Sequence, residues 1–311
     1  APGWHTYWEN PGDSGLPTKI EWILPAGFSA GEPLYPVPER QPFGPIINYG
    51  FDTRTTILWP VTAADDLRLG ETYYVSGQVD YLVCAEICIP AKDSFDLEFS
   101  YTGAAPLIDS TMAPFFQEAR AALPQALPTQ ARIAPLEGSD ALVLKVPAFV
   151  EGVEQLSDWY FFPSFEKLID HGLPQEAVYN AEEQMVMIKL PAPMRARENP
   201  VPEPITGVLS MIDRSSGAPI KLGFSVEAPL VTAGTTLANL ELLGGEGTTS
   251  AVGIGVAGLI AMAFLGGILL NLMPCVFPVL ALKLFALIRH GAGGDGRHLR
   301  RQGLFYALGV V

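Results

Sequence analysis

The chain has 311 residues, 49% of them hydrophobic, with 19 Lys and Arg against 33 Asp and Glu for a formal net charge of -14. That length accommodates two ordinary domains and a further segment. The acidic balance excludes a nucleic-acid binder, which needs a positive footprint. The charge is also unevenly divided: 14 basic and 32 acidic side chains through Glu246, a net of -18, then five basic and one acidic from Gly247, a net of +4. This division suits an extracytoplasmic region joined to a membrane segment with a basic cytoplasmic loop.

The first residues, Ala1-Pro2-Gly3-Trp4-His5, provide neither an initiator Met nor a basic-then-apolar leader, and the last ones begin an apolar stretch that stops at Val311. The chain is therefore read as a fragment. Residues 4–17 are aromatic and turn-rich, with Trp4, His5, Tyr7 and Trp8 close together. They are expected either to shield a reactive group or present a binding surface, or to form an ordinary loop packed by its own Trp residues. His5 is a lone histidine and is not read as a metal ligand.

Runs at 55–61, 72–84 and 94–101 predict strands, separated by Gly, Pro and Asp turns. Residues 109–123 predict a short helix capped by Ser110 or Thr111, with Phe115, Phe116, Ala119 and Leu123 at helical spacing. Pro124 and Pro128 end it. A second set of runs, at 141–146, 159–162, 185–190, 207–212 and 221–226, suits another sandwich-like unit. The expected division is a β-sandwich domain at 1–104, a helix and linker at 105–132, a second sandwich at 133–228 and a Gly-rich tether at 229–250.

Residues 247–282 contain no charged side chain, and 251–270 alone meet the roughly 20 residues that cross a bilayer. The following loop carries Arg289, Arg297, Arg300 and Arg301, which makes it cytoplasmic by the positive-inside rule and places residues 1–245 outside. Pro274 and Pro278 flank Cys275 and should break the helix there. Such a break is tolerated only against protein or a wet cavity, where the thiol can be reached; the plainer reading is that Cys275 is a small hydrophobe. Lys283 either snorkels to the interface or lies near the thiol and lowers its pKa.

Cys84 and Cys88 form Cys-Ala-Glu-Ile-Cys, followed by Pro90. The β run leading in and the Pro after it favour a strand–turn–strand that can bring the two within disulfide reach. Outside the cytoplasm such a pair tends to be oxidised. Closing only three intervening residues stabilises little, which favours a redox pair over a structural one. A metal site would need more ligands than these two thiols. Cys275 alone cannot complete a two-electron cycle, so a further membrane cysteine is expected beyond the chain.

The segment Asn271-Leu-Met-Pro-Cys275-Val-Phe-Pro-Val-Leu-Ala-Leu-Lys283 resembles the first transmembrane cysteine motif of the bacterial DsbD family of membrane thiol:disulfide interchange proteins. The segments Trp4-His-Thr-Tyr-Trp-Glu-Asn-Pro-Gly and Leu82-Val-Cys84-Ala-Glu-Ile-Cys88-Ile-Pro90, with Tyr160-Phe-Phe-Pro163 and Gly207-Val-Leu, resemble the amino-terminal part of its ScsB-like branch. The resemblance is read over essentially the whole chain. It implies a mainly β fold with two immunoglobulin-like sandwiches in the periplasm, followed by a transmembrane α-helical segment with a Pro-broken helix. It also implies a multi-pass protein-disulfide reductase of the inner membrane. Electrons would come from cytoplasmic thioredoxin and pass to periplasmic thioredoxin-like or disulfide isomerase-like clients, with links to copper tolerance and cytochrome c maturation. Cys84, Cys88 and Cys275 would carry them without metal or cofactor, and a carboxy-terminal thioredoxin-like domain would complete the protein. The competing readings are a periplasmic docking module with a structural Cys84–Cys88 disulfide and a thiol-based copper binder.

Overall fold

A computed structural model describes residues 3–105, 108–191, 203–237 and 241–243. The first hundred residues carry β1 (Thr6–Gly12), β2 (Lys19–Ile23), β3 (Ser29–Ala30), β4 (Glu39–Phe43), β5 (Ile46–Phe51), β6 (Val61–Thr62), β7 (Thr72–Cys84) and β8 (Cys88–Ser100). They make three antiparallel sheets, β1-β5-β4, β2-β7-β8 and β3-β6. After helix α1 (Ala113–Ala121) come β9 (Gln125–Ala126), β10 (Arg132–Pro135), β11 (Leu142–Pro147), β12 (Ser157–Pro163), β13 (Glu176–Asn180), β14 (Met185–Leu190), β15 (Ile205–Asp213), β16 (Ile220–Ala228) and β17 (Glu241–Leu242). These form a five-stranded sheet, β10-β11-β14-β13-β17, and a four-stranded sheet, β12-β15-β16-β9, in which the short β9 runs parallel to β16.

Alternation explains the five-stranded sheet. Leu144 and Val146 of β11 lie opposite Ile188 and Val186 of β14, and all four point into one core with Phe161, Leu209 and Met211 of the other sheet. On the outer face Val143, Val178 and Met187 are covered by Leu136 and Leu237.

Strand β12 of the four-stranded sheet is buried on both faces. Trp159 and Phe161 of β12 enter that core. Tyr160 and Phe162 point the other way and meet Trp8, Tyr35, Tyr49 and Phe51 of the first region. A strand covered on both faces reads as an unbroken apolar run, which is why 159–162 shows no alternation. Gly207 lies opposite Pro163 in the neighbouring strand, and a Cβ there would strike the Phe162 carbonyl and the Phe161 ring.

Polar contacts lock the two regions together. Buried Asn10 donates to the Pro163 carbonyl at 2.7 Å, and Lys221 donates to the Pro38 carbonyl and pairs with Glu39. His171 Nε2 lies 2.9 Å from the Glu166 carbonyl, which only accepts, so Nε2 bears the proton. Its Nδ1 then accepts from the Tyr49 hydroxyl at 2.7 Å, and the Tyr49 oxygen accepts from Tyr160 at 2.8 Å. Burial pushes both phenols above the ordinary tyrosine range.

Several expectations are corrected. The described residues form a mostly β, multi-sheet fold in which the β12 sheet shares a second core with the first region, and among them there is no transmembrane helix, which corrects the expectation of two immunoglobulin-like sandwiches followed by a transmembrane α-helical segment. The one α-helix among the described residues is nine residues long, and none of their helices is long and apolar enough to cross a membrane. The multi-pass, inner-membrane placement therefore finds no spanning helix among the described residues to rest on. The expected span at 251–270, the break at Pro274-Cys275-Pro278 and Lys283 lie outside the described residues.

Locally, α1 is approached through Asp109, whose carboxylate accepts from the Thr111 and Met112 amides, so neither Ser110 nor Thr111 is its cap. The run at 55–61 joins a strand only at Val61, with Leu58 bridging Leu34. Pro60, which has no N–H to donate, interrupts it. The segment read as a loop at 4–17 contains β1, and β17 pairs with β13 inside the stretch read as tether.

Candidate functional site

The β7–β8 hairpin pairs thirteen residues on each side and ends on Cys84 opposite Cys88. Its three-residue loop, Ala85-Glu86-Ile87, is closed by the Ala85 amide donating to the Ile87 carbonyl at 3.0 Å. The two cysteines form a disulfide with their Cα atoms 4.1 Å apart. Their environments differ. Cys84 is 2% exposed, whereas Cys88 is open to solvent.

Burial of Cys84 comes from the amino-terminal segment. On its other edge β7 pairs with β2 only over Ser76–Asp80, which leaves Cys84 free to bridge His5. The His5 amide donates to the Cys84 carbonyl at 2.9 Å and the Cys84 amide to the His5 carbonyl at 3.0 Å. This mutual exchange defines a hydrogen-bonded antiparallel pair, whose side chains share one face with Cβ atoms about 5 Å apart.

Two residues on, Tyr7 lies on that face too, its ring 5.2 Å from the His5 ring in an edge-to-face arrangement. Its hydroxyl lies 3.7 Å from Cys88 Sγ. A disulfide sulfur carries no hydrogen, so the tyrosine is the donor. Tyr7 is fully buried, and burial raises its pKa. Gly15, at φ +111°, presses against its ring where no side chain would fit.

Beside the hairpin tip is a cleft of about 630 Å³ lined by Trp4, His5, Phe43, Asp52, Glu86 and Ile87, among others. Burial lowers the pKa of His5, and the Asp52 carboxylate partly opposes that shift. Nε2 of His5 is buried and has no hydrogen-bond partner among the described residues.

Of the residues singled out in the sequence, Cys84, Cys88, His5, Tyr7 and Trp4 come together here. Trp8 does not: it packs against Tyr49 and Phe162 at 6.5 and 6.2 Å. Pro90 lies on exposed β8 opposite Leu82. Cys275, Pro274, Pro278 and Lys283 are outside the described residues. Sequence reasoning missed Phe43, Asp52 and Glu86. The first two arrive with the β4–β5 hairpin, and nothing in their local pattern marks them. No group of three or more His, Cys, Asp or Glu side chains that could hold a metal occurs among the described residues.

Residues 1–100 match the family model described as thiol:disulfide interchange protein DsbD, N-terminal. That stretch holds the Cys84–Cys88 disulfide. No curated protein matches the chain. Among solved structures, the chain is similar to the N-terminal periplasmic domain of ScsB from Proteus mirabilis, at 16% identity and a TM-score of 0.44, over 73% of this chain and 84% of that one. The resemblance read over the whole chain is thereby corrected to a family match at residues 1–100. The expectation of a membrane-embedded chain supplied by cytoplasmic thioredoxin is corrected with it, since the match covers the amino-terminal domain and no described helix can span.

Proposed function

We propose that the amino-terminal region is a periplasmic docking domain for a thiol–disulfide partner and that Cys84 and Cys88 are its exchanging pair. The family match at residues 1–100 supports the class of chemistry. The observation that carries the reading is the unequal exposure of the two cysteine residues at a hairpin tip beside an open cleft.

Exchange runs through attack of a thiolate on one sulfur of a disulfide. In the reduced domain Cys88 is the thiol a client disulfide can reach, and the Tyr7 hydroxyl is placed to donate to its thiolate. Cys88 attacks the client disulfide, a mixed disulfide forms and one client thiolate leaves. Cys84 then attacks Cys88 Sγ, restores the internal disulfide and releases the second client thiol. Two electrons pass to the client, and the sulfurs carry them.

A second reading keeps the docking role and makes the disulfide structural. The deep burial of Cys84 and its backbone pairing to both His5 and Cys88 favour it. Trapping separates the two. Incubated with an oxidised thioredoxin-like protein, reduced Cys84→Ser should accumulate a mixed disulfide through Cys88, and Cys88→Ser should not. No covalent adduct from either variant leaves the structural reading.

A further inference from the structure

The buried, unpartnered nitrogen of His5 lies on the face of the sheet that carries the disulfide. Three observations define its setting. The mutual backbone hydrogen bonds make His5 and Cys84 a directly opposed pair, so both side chains leave the same face about 5 Å apart at Cβ. The Tyr7 ring lies edge-on to the imidazole and fixes one side of it. Nε2 is buried without a hydrogen-bond partner among the described residues, in a fold that satisfies other buried polar groups such as Asn10 and His171. An orphaned buried nitrogen is costly and calls for a function or a partner that another state supplies.

We infer that His5 is the proton acceptor of the Cys84 thiol, left unpartnered in the disulfide form and satisfied when the disulfide opens. This rests on the exchange reading above. Reduction adds two electrons and two protons, and one of those protons sits on Cys84 Sγ. With the imidazole neutral and its own proton at Nδ1, Nε2 offers a lone pair to that S–H.

In the resolving step Cys84 passes the proton to Nε2, and its thiolate forms the bond to Cys88 Sγ. The Cys88–client bond breaks, and the departing client thiolate takes up a proton from solvent or from His5. Atoms and charge balance without any other reactant than the client disulfide. His5 thereby favours the reduced state and speeds the return to the oxidised one. Burial keeps the ring neutral, as a base requires. The charged and titratable groups around it are Asp52 and Glu86 across the cleft and Tyr7 on its own strand. Asp52 opposes the effect of burial.

Two variants of the full chain test this. His5→Phe keeps a ring against Tyr7 and removes the acceptor. His5→Gln keeps an acceptor that does not titrate. In glutathione buffers, His5→Phe should shift the equilibrium toward the disulfide about tenfold, which is about 30 mV for a two-electron couple. His5→Gln should recover most of that shift. In single-turnover oxidation of the reduced domain by glutathione disulfide, the wild type should show an inflection below pH 6.5 that both variants lack.

If His5→Phe does not fold, the His5→Gln pH profile decides. An equilibrium within twofold of wild type in His5→Phe, or a wild-type inflection that persists in His5→Gln, overturns the role of His5 alone. A wild-type disulfide that no glutathione buffer opens overturns the exchange reading, and the role of His5 falls with it.

Discussion

Replacing Tyr49 by Phe removes one oxygen and tests how the two regions are held together. That oxygen donates to His171 Nδ1 at 2.7 Å and accepts from Tyr160 at 2.8 Å. Tyr160 and His171 are both buried, and since Tyr160 only loses an acceptor for its hydroxyl while His171 loses the donor to Nδ1, the cost falls on both ends of the hydrogen-bond chain. Losing the hydrogen bond and leaving Nδ1 unpartnered costs about 2–3 kcal/mol in total. For a unit of this size that lowers Tm by roughly 4–12 °C. The assay is thermal unfolding of the full chain followed by near-UV circular dichroism. A double-mutant cycle with Tyr160→Phe should show a coupling of about 0.5–1.5 kcal/mol. A Tyr49→Phe protein that melts within 1 °C of wild type would refute the hydrogen-bond chain as the lock between the two regions.

Three further outcomes follow from packing and protonation. Phe161→Ala empties a fully buried site between the two large sheets and should cost about 3–5 kcal/mol in denaturant unfolding. Asn10→Ala leaves the Pro163 carbonyl and the Gly12 amide without their partner and should cost about 1–3 kcal/mol by the same measurement. The pH dependence has a definite sign. The folded-state pKa of His5 is lowered from an ordinary value of about 6.5, so the unfolded chain takes up its proton first as pH falls. The stability this provides is complete above pH 6.5 and is lost as pH drops through the folded value. The difference in unfolding free energy between wild type and His5→Gln should therefore shrink or reverse from pH 7.5 to pH 5, and a constant difference would count against it.

Much of the candidate site was legible locally. Alternation with β-branched and aromatic residues marks 72–84, and the structure has a strand over those residues. The Cys-x-x-x-Cys spacing with Pro90 pointed to a strand–turn–strand, which is the hairpin found. The unread parts depend on long-range contacts. β1 contains Asn10, Pro11 and Gly12 and shows no apolar period. Its residues become core only because Trp8 and Asn10 meet β12 from more than 150 positions away. The run Trp159-Tyr-Phe-Phe announced burial but not that its two faces serve different cores. Asp52 reaches the cleft through sheet pairing of β5 with β1, which no local signal encodes. The readings around Cys275 lie outside the described residues.

Exchange with a partner and a role as a mere staple demand different reduction potentials of the Cys84–Cys88 couple. Measuring that potential on the full chain by alkylation and mass spectrometry, in graded glutathione and dithiothreitol buffers, separates the two most directly. An exchanging couple should lie above about -300 mV, within reach of thiol oxidoreductases. A potential well below about -300 mV would mark a structural disulfide and contradict exchange.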